Sequence, residues 1–416
     1  MTHRGRSLHG ACATGRLGEA LGLLRDGADV DQTNDEDLTP LMLASTEGHA
    51  HCVRALLGAA ADVNRATEEH GSTALMLASI GGHVECLRVL LGGGAAANQS
   101  KMQGVTALML ATYTGHAACV STLLAGRAAA NQAKEDGTTA LMLASSHGRA
   151  DCVRALLDGA ADVDLAMRLN GWTALMLASS EGHAECAHAL LSLGAAVDRA
   201  EADGMTALML ASLEGHVECA RVLLEGGANV HLVDSLTGHS ALVLGCEHLC
   251  IVQLLCAYGA RRDELLAPDG GALLHDLPDE CRAWLFATRR FTSELHHVEF
   301  LPVERVRALV VGGADLHVRG GGGGDSGAVA DAPTPLEIAR ALLARGLKAH
   351  DGAQLVVDAA ALWSPRTNKL FPARARARAV ELLLFGHALT RQARLARDGI
   401  ALLDAWELVM AHAVCR

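Results

Sequence analysis

The stretch TALMLASSEGHAECAHALLSLGAAVD, residues 173–198, decides the reading of this chain, because close copies of it occur six times. Its threonine recurs at Thr39, Thr73, Thr106, Thr139, Thr173 and Thr206, then as Ser240, in steps of 33 or 34 residues. A glycine follows at the same interval each time, at Gly48, Gly82, Gly115, Gly148, Gly182 and Gly215. A fixed period of this size marks a solenoid, in which each unit buries its apolar face only against its neighbours.

Each unit parses into two short helices. In DGTTALMLASSHG (136–148) a turn glycine precedes a threonine suited to N-capping, a helix-forming run and a terminating glycine. RADCVRALLDGAADV (149–163) predicts a second helix with Cys152, Val153, Leu156 and Leu157 on its apolar stripe, closed by Gly159. That stripe is wide, as a helix needs when it packs on its own partner and on both adjacent units.

The string T-A-L-M-L-A-S-x-x-G-H-x-E-C-x-x-x-L-L-x-x-G-A closely resembles the ankyrin repeat, with its T-P-L-H-x-A, G-H and G-A-D-V-N elements. The resemblance implies an all-α solenoid of helix pairs, joined by hairpin-like loops that project to one side beside a concave binding face. Residues 1–35 resemble a capping repeat, 36–234 six regular repeats, and 235–266 a degenerate one. Residues 267–416 form a diverged, helical region with a Gly-rich insertion at 320–333. The family's proline is alanine everywhere but Pro40. Its histidine, which helps tie neighbouring threonines, is methionine at Met42, Met76, Met109, Met142, Met176 and Met209. This predicts that flexible apolar packing replaces polar ties between repeats.

Cys52, Cys86, Cys119, Cys152, Cys186 and Cys219 recur with the repeat, where the family usually carries valine. Stacked equivalents lie about 8–10 Å apart, the spacing of packed helices. A disulfide needs Cα atoms within about 7 Å, and one zinc holds its thiolates at about 2.3 Å. Each His-x-x-Cys pair, such as His183 and Cys186, offers only two ligands. The cysteines therefore read as small core side chains, with no metal and no cofactor expected.

Aromatic residues make up only 3% of the chain. Residues 1–250 hold 15 basic and 28 acidic residues, a net of −13, whereas 251–416 hold 20 and 19, a net of +1. An acidic array repels phosphate backbones, so no nucleic-acid partner is expected for the first part, and a basic protein suits it better. No uninterrupted apolar run reaches the roughly 18 residues of a membrane span, and the opening MTHRGRSLHG does not read as a secretory signal. Twelve cysteines then predict a reducing, cytoplasmic or nuclear setting and free thiols, and the chain is expected to be a monomer.

Beyond 266 the period dissolves. TSELHHVEFLPVERVRALVVGGADLHVR (292–319) keeps the outline of a repeat, and TPLEIARALLARG restarts one at Thr334. The glycine-rich insertion between them lacks the G-K-[S/T] ending of a phosphate loop. Residues 340–397 carry 11 basic and 3 acidic residues, readable as a docking patch or as solvated arginines on amphipathic helices. His296, His297, His275 and Cys281 are the only residues there that suggest chemistry, and nothing groups an acid, a base and a nucleophile.

Among near-identical copies, the positions that differ carry the information. They cluster just before the threonine, at Leu38, Ser72, Val105, Thr138, Trp172, Met205 and His239. A second cluster precedes the inter-helix glycine, including Ile80, Tyr113, Glu181, Leu213 and Glu214. By resemblance to the family these face the concave groove, and we assign partner binding to Ile80, Val105, Tyr113, Trp172, Glu181, Met205, Leu213 and Glu214. Tyr113 and Trp172 are the only aromatics in residues 1–257, and these types dominate binding hot spots. Asn64, preceded by Asp-Val, is the expected first target if asparaginyl hydroxylases act on this chain as on similar proteins.

The expected function is a non-enzymatic scaffold or adaptor that holds a protein partner. One alternative makes the array the substrate-recruiting part of a larger machinery such as a ubiquitin ligase, with the C-terminal region as its docking module. Another hides an enzyme in the C-terminal third.

Overall fold

The computed structural model describes residues 7–261, 265, 277–288, 294–311, 314, 334–344, 353 and 356–357. The expected Gly-rich insertion at 320–333, His275 and most of the basic segment 340–397 lie outside these residues. Two compact units divide the chain: residues 1–229 with 233–238, and residues 230–232 with 239–416.

The first unit is a row of helix pairs. α1 (Leu8–Ala13) pairs with α2 (Leu17–Arg25), α3 (Pro40–Thr46) with α4 (Ala50–Gly58), and α5 (Ala74–Gly81) with α6 (Val84–Gly92). After the two-residue strands β1 (Ser100–Lys101) and β2 (Val105–Thr106), α7 (Ala107–Thr114) pairs with α8 (Ala117–Ala125). Then α9 (Ala140–Ser146) joins α10 (Ala150–Asp158), α11 (Ala174–Ser180) joins α12 (Ala184–Ser192), and α13 (Ala207–Leu213) joins α14 (Val217–Glu225).

The six threonines are N-caps with extended backbone, each Oγ1 accepting a hydrogen bond from the methionine N–H three residues on. At Thr139, Thr173 and Thr206 the bond is reciprocal, because the cap N–H donates to the sulfur of Met142, Met176 and Met209 at 3.4 Å. A thioether is a weak acceptor, so this is the capping-box geometry with a soft partner. First helices are buried nearly all round: in α5, Ala74, Leu75, Met76, Ala78 and Ser79 are within 2% of full burial. Alanine and serine let neighbouring backbones approach, and the buried Ser79 hydroxyl donates to the Leu75 carbonyl one turn back.

The expectation that polar ties between repeats give way to apolar packing is corrected. Two polar ladders join successive repeats. Nε2 of His49, His83, His116 and His216 lies 2.9–3.2 Å from a carbonyl of the preceding repeat, those of Ala13, Thr46, Ile80 and Ser180. A carbonyl only accepts, so that nitrogen carries the proton. In the loops, Asp31, Asn64, Asn98, Asn131, Asp164 and Asp198 each accept through a side-chain oxygen from a backbone N–H one repeat on. The methionines fill the interior, and other side chains carry the ties.

The second helices end as expected before Gly159 and its equivalents, but these glycines are not the left-handed residues. Gly159 has φ −84° and Ala160 has φ +59°; Ala60 (+64°) and Arg127 (+65°) match it in other repeats. Gly159 instead lies close to the preceding repeat, at a position that is Ala59 and Leu193 in other repeats. A Cβ there would sit 2.6 Å from the Leu124 side chain of the preceding repeat, and one on Gly126 would meet Leu91 at the same distance.

In the second unit, α15 (Ala241–Leu244) is cut to four residues before α16 (Leu249–Ala257), and α17 (Asp279–Thr288) follows. The outline repeat at 292–319 departs from expectation. Among its described residues a 3₁₀ turn (Glu294–His297) stands in the place of its first helix, and the second, α18 (Val303–Val311), forms. α19 (Pro335–Ala344) starts where TPLE predicts, with Thr334 and Glu337 exchanging cap bonds at 2.8 and 3.2 Å. Val298, Leu301, Val306, Leu336 and Val356 share one buried core with Ala257.

Candidate functional site

The loops between repeats are hairpin fingers built on a short antiparallel pairing. Ser100 pairs with Thr106 and Lys101 with Val105, while Ala66–Thr73, Ala133–Thr139, Ala166–Thr173 and Ala200–Thr206 form the equivalent bridges. Finger length explains the two repeat steps. Where the step is 34, the tip closes as a five-residue turn, with Gly71, Gly171 and Gly238 donating to the carbonyls of Thr67, Met167 and Asp234. Where it is 33, as at Gly137 and Gly204, the bond reaches Lys134 and Glu201 and the turn has four residues.

The fingers are tied tip to tip. Glu135 N–H donates to Gln103 O, Arg168 to Asp136, Ala202 to Asn170 and Ser235 to Asp203, at 2.9–3.2 Å. In the four-residue tips this contact excludes a side chain: Gly137 has φ +90°, and a Cβ on it would lie 2.7 Å from the Arg168 backbone nitrogen. The row is therefore one hydrogen-bonded edge.

The proposed binding residues fall into two tracks. Ile80, Tyr113 and Leu213 end their first helices as exposed apolar side chains, Tyr113 being 52% exposed, and Glu181 and Glu214 are exposed beside them. Val105, Trp172 and Met205 lie on the returning strands of three fingers and are half-buried. Trp172 is held there by its carbonyl, which accepts from Met167 N–H at 2.9 Å, and by its N–H, which donates to Asn170 Oδ1. The Tyr113 ring meets His147 of the next repeat edge-on, with centroids 4.7 Å apart. Thr138, in the same variable column, is buried and presents no surface.

Column comparison alone misses the fingertips. Met102, Leu169 and Leu236 occupy tips and are 68, 85 and 73% exposed. Two of them sit in five-residue tips, so the 34-residue step was the available signal. Among the described residues, eight large hydrophobics are exposed, and all but Leu193 lie in the fingers or at first-helix ends.

Asn64 is exposed but engaged, its Oδ1 accepting from Ala96 N–H at 2.7 Å and its Nδ2 lying 3.4 Å from Gly94 O. The six repeat cysteines are no more than 1% exposed. Burial pushes the thiols of Cys86, Cys152 and Cys186 up to about 11 and that of Cys219 to about 12. A thiol held protonated is a poor nucleophile at neutral pH. In the second unit Cys281, His296 and His297 are buried, with the Trp284 ring 5.6 Å from that of His297.

No described helix is long and apolar enough to cross a membrane. None of the curated proteins matches this chain. The crystal structure of the human ASB11 ankyrin repeat domain is similar to it at 32% identity, over 53% of this chain and 98% of that one, with a TM-score of 0.48. The family model described as ankyrin repeats (3 copies) matches residues 8–101, 93–167, 161–234 and 200–265, more than half of the chain. With its capped helix pairs, its inter-repeat ladders and its row of fingers, this chain belongs to the ankyrin-repeat family, whose repeats generally mediate protein–protein interaction.

Proposed function

We propose that this protein is a scaffold or adaptor that holds a partner protein against the face formed by its fingers and first-helix ends. One observation carries the reading: the exposed large hydrophobics, scarce among the described residues, gather on that face. Solitary exposed apolar residues are ordinary, whereas a row of them on a rigid, hydrogen-bonded edge is what a partner covers. Tyr113 and Trp172 supply aromatic anchors; Val105, Met205, Ile80 and Leu213 extend the apolar track; Glu181 and Glu214 give it an acidic rim suited to basic groups. The monomer is the working unit, and the interior has no role beyond holding the face.

Double substitution Tyr113→Ala, Trp172→Ala tests this. Affinity capture from the native cell should lose the partners held by the unaltered protein, while thermal unfolding changes by only a few degrees. A collapse of the unfolding midpoint would make both residues core and refute the assignment.

A further inference from the structure

The proposed face is not uniformly charged. Residues 101–150 hold four basic and two acidic residues, whereas 151–250 hold four and fourteen. On the face itself, Lys101 lies opposite Val105 on the β1–β2 hairpin, and directly opposed residues of an antiparallel pair share one side. Lys134, on the next finger, is spent within its own turn, 3.2 Å from Asp136. Arg168, on the finger after that, is exposed at the tip. Lys101 and Arg168 thus set two cations around Val105, Tyr113 and Trp172, against the one exposed carboxylate of Glu135 on the finger between them. Towards the C-terminal end the sign reverses: Glu181 and Glu214 are exposed at the ends of α11 and α13, and Asp203 at the tip between them, around Met205 and Leu213.

Resting on the reading above, we infer that the partner contributes an extended, charge-split segment, which binds in one direction only. Its carboxylates lie toward Lys101 and Arg168, its lysines or arginines toward Glu181, Asp203 and Glu214, and apolar residues between them cover Tyr113, Trp172 and Leu213. Three repeat steps separate the Lys101 finger from Glu214. At about 8–10 Å per step, the spacing of packed helices, that is roughly 25–30 Å. An extended chain at about 3.3 Å per residue spans it in roughly seven to nine residues. A uniformly basic segment would meet like charge at Lys101 and Arg168, and reversing the direction of a split one would set both ends against like charges.

The test is selection of random 20-residue peptides displayed against the full-length protein. Enriched peptides should carry an acidic and a basic residue about seven to nine positions apart, the spacing derived above. For a selected peptide, Lys101→Glu and Glu214→Arg should each weaken binding about tenfold, as expected when attraction becomes repulsion at an interface. Changing the peptide's acidic residue to arginine should restore binding to Lys101→Glu alone, and changing its basic residue to glutamate should restore Glu214→Arg alone. Peptides without that spacing, or rescue in the crossed pairing, would overturn the charge-split inference while leaving the face intact. Binding that ignores Tyr113→Ala and Trp172→Ala, or no enrichment at all, would instead overturn the face, and this inference with it.

Discussion

At the scale of single residues, the repeat cysteines show how burial sets chemistry. Their thiols ionise only well above the ordinary range because the charged form would lose its hydration. An unfolded chain ionises them near 9, so between about 9 and 11–12 the unfolded state sheds protons that the folded state keeps. The thiols' contribution to stability is therefore fully present below about pH 9 and is lost as pH rises through that window. Replacing all six by valine should leave a folded protein, at under about 1.5 kcal/mol per site, and should flatten this alkaline loss. Chemical denaturation at pH 8 and pH 10.5 in both proteins measures it; equal slopes would refute the cause. Among the described cysteines, exposed Cys250 should be alkylated first. The left-handed alanines make a second residue-scale case. Ala160→Gly should stabilise by about 0.5–1 kcal/mol, because glycine adopts φ +59° without the Cβ penalty. Gly94→Ala, at φ +90° with no atom within 4 Å, should cost a similar amount. Denaturant midpoints compare the pair, and a loss of stability in Ala160→Gly would contradict the strain argument.

At the scale of elements, the finger turns space as well as strain into a constraint. Gly137 shares φ +90° with Gly94 but abuts the Arg168 backbone. Gly137→Ala should therefore cost about 1–3 kcal/mol beyond Gly94→Ala, the usual scale of overpacking. It should also loosen the bond from Arg168 N–H to Asp136 O, which amide exchange at Arg168 reads directly; equal costs at the two sites would sink the contact argument. Much of this level was legible in the sequence. The threonine caps, the glycine after each first helix and the TPLE restart at Thr334 are local signals that local bonding obeys. Other features were not legible, because they depend on the neighbouring repeat. Nothing in the sequence of one unit says that a histidine will reach the carbonyl of the unit before it. The 3₁₀ turn at Glu294–His297 belongs to the same class, since it stands in the place of a first helix in a segment that keeps the outline of a repeat. Of the proposed face, column variation in the sequence points to Tyr113 and Trp172, whereas the exposed Leu169 and Leu236 hide in the extra residue of a longer turn.

At the scale of the molecule, stability in a repeat row is a sum of units and nearest-neighbour interfaces, with no single core to lose. The first helices α5, α7 and α9 pack in succession, and so do the second helices α6, α8 and α10. Thr106 and Thr139 are equivalent caps, so deleting residues 107–139 joins Thr106 to Ala140 in the sequence context that Thr139 had. The flanking interfaces then re-form with the same residue types, Met76 and Ala78 meeting the repeat of Met142 and Ala144 instead of that of Met109 and Ala111. The shortened protein should keep helical circular dichroism and cooperative unfolding, with a modestly lower midpoint for the lost interface. It should lose partner binding, because Tyr113 and the Lys134 finger go with the deleted repeat and Arg168 moves one step nearer Lys101. Deleting 107–122 instead removes one helix and two-thirds of its partner, exposing the apolar faces of two neighbours, and should unfold or aggregate the array. Circular dichroism and thermal scans of both deletions decide the matter. If the whole-repeat deletion fails as badly as the half-repeat one, the fold has a global core that the repeating contacts conceal.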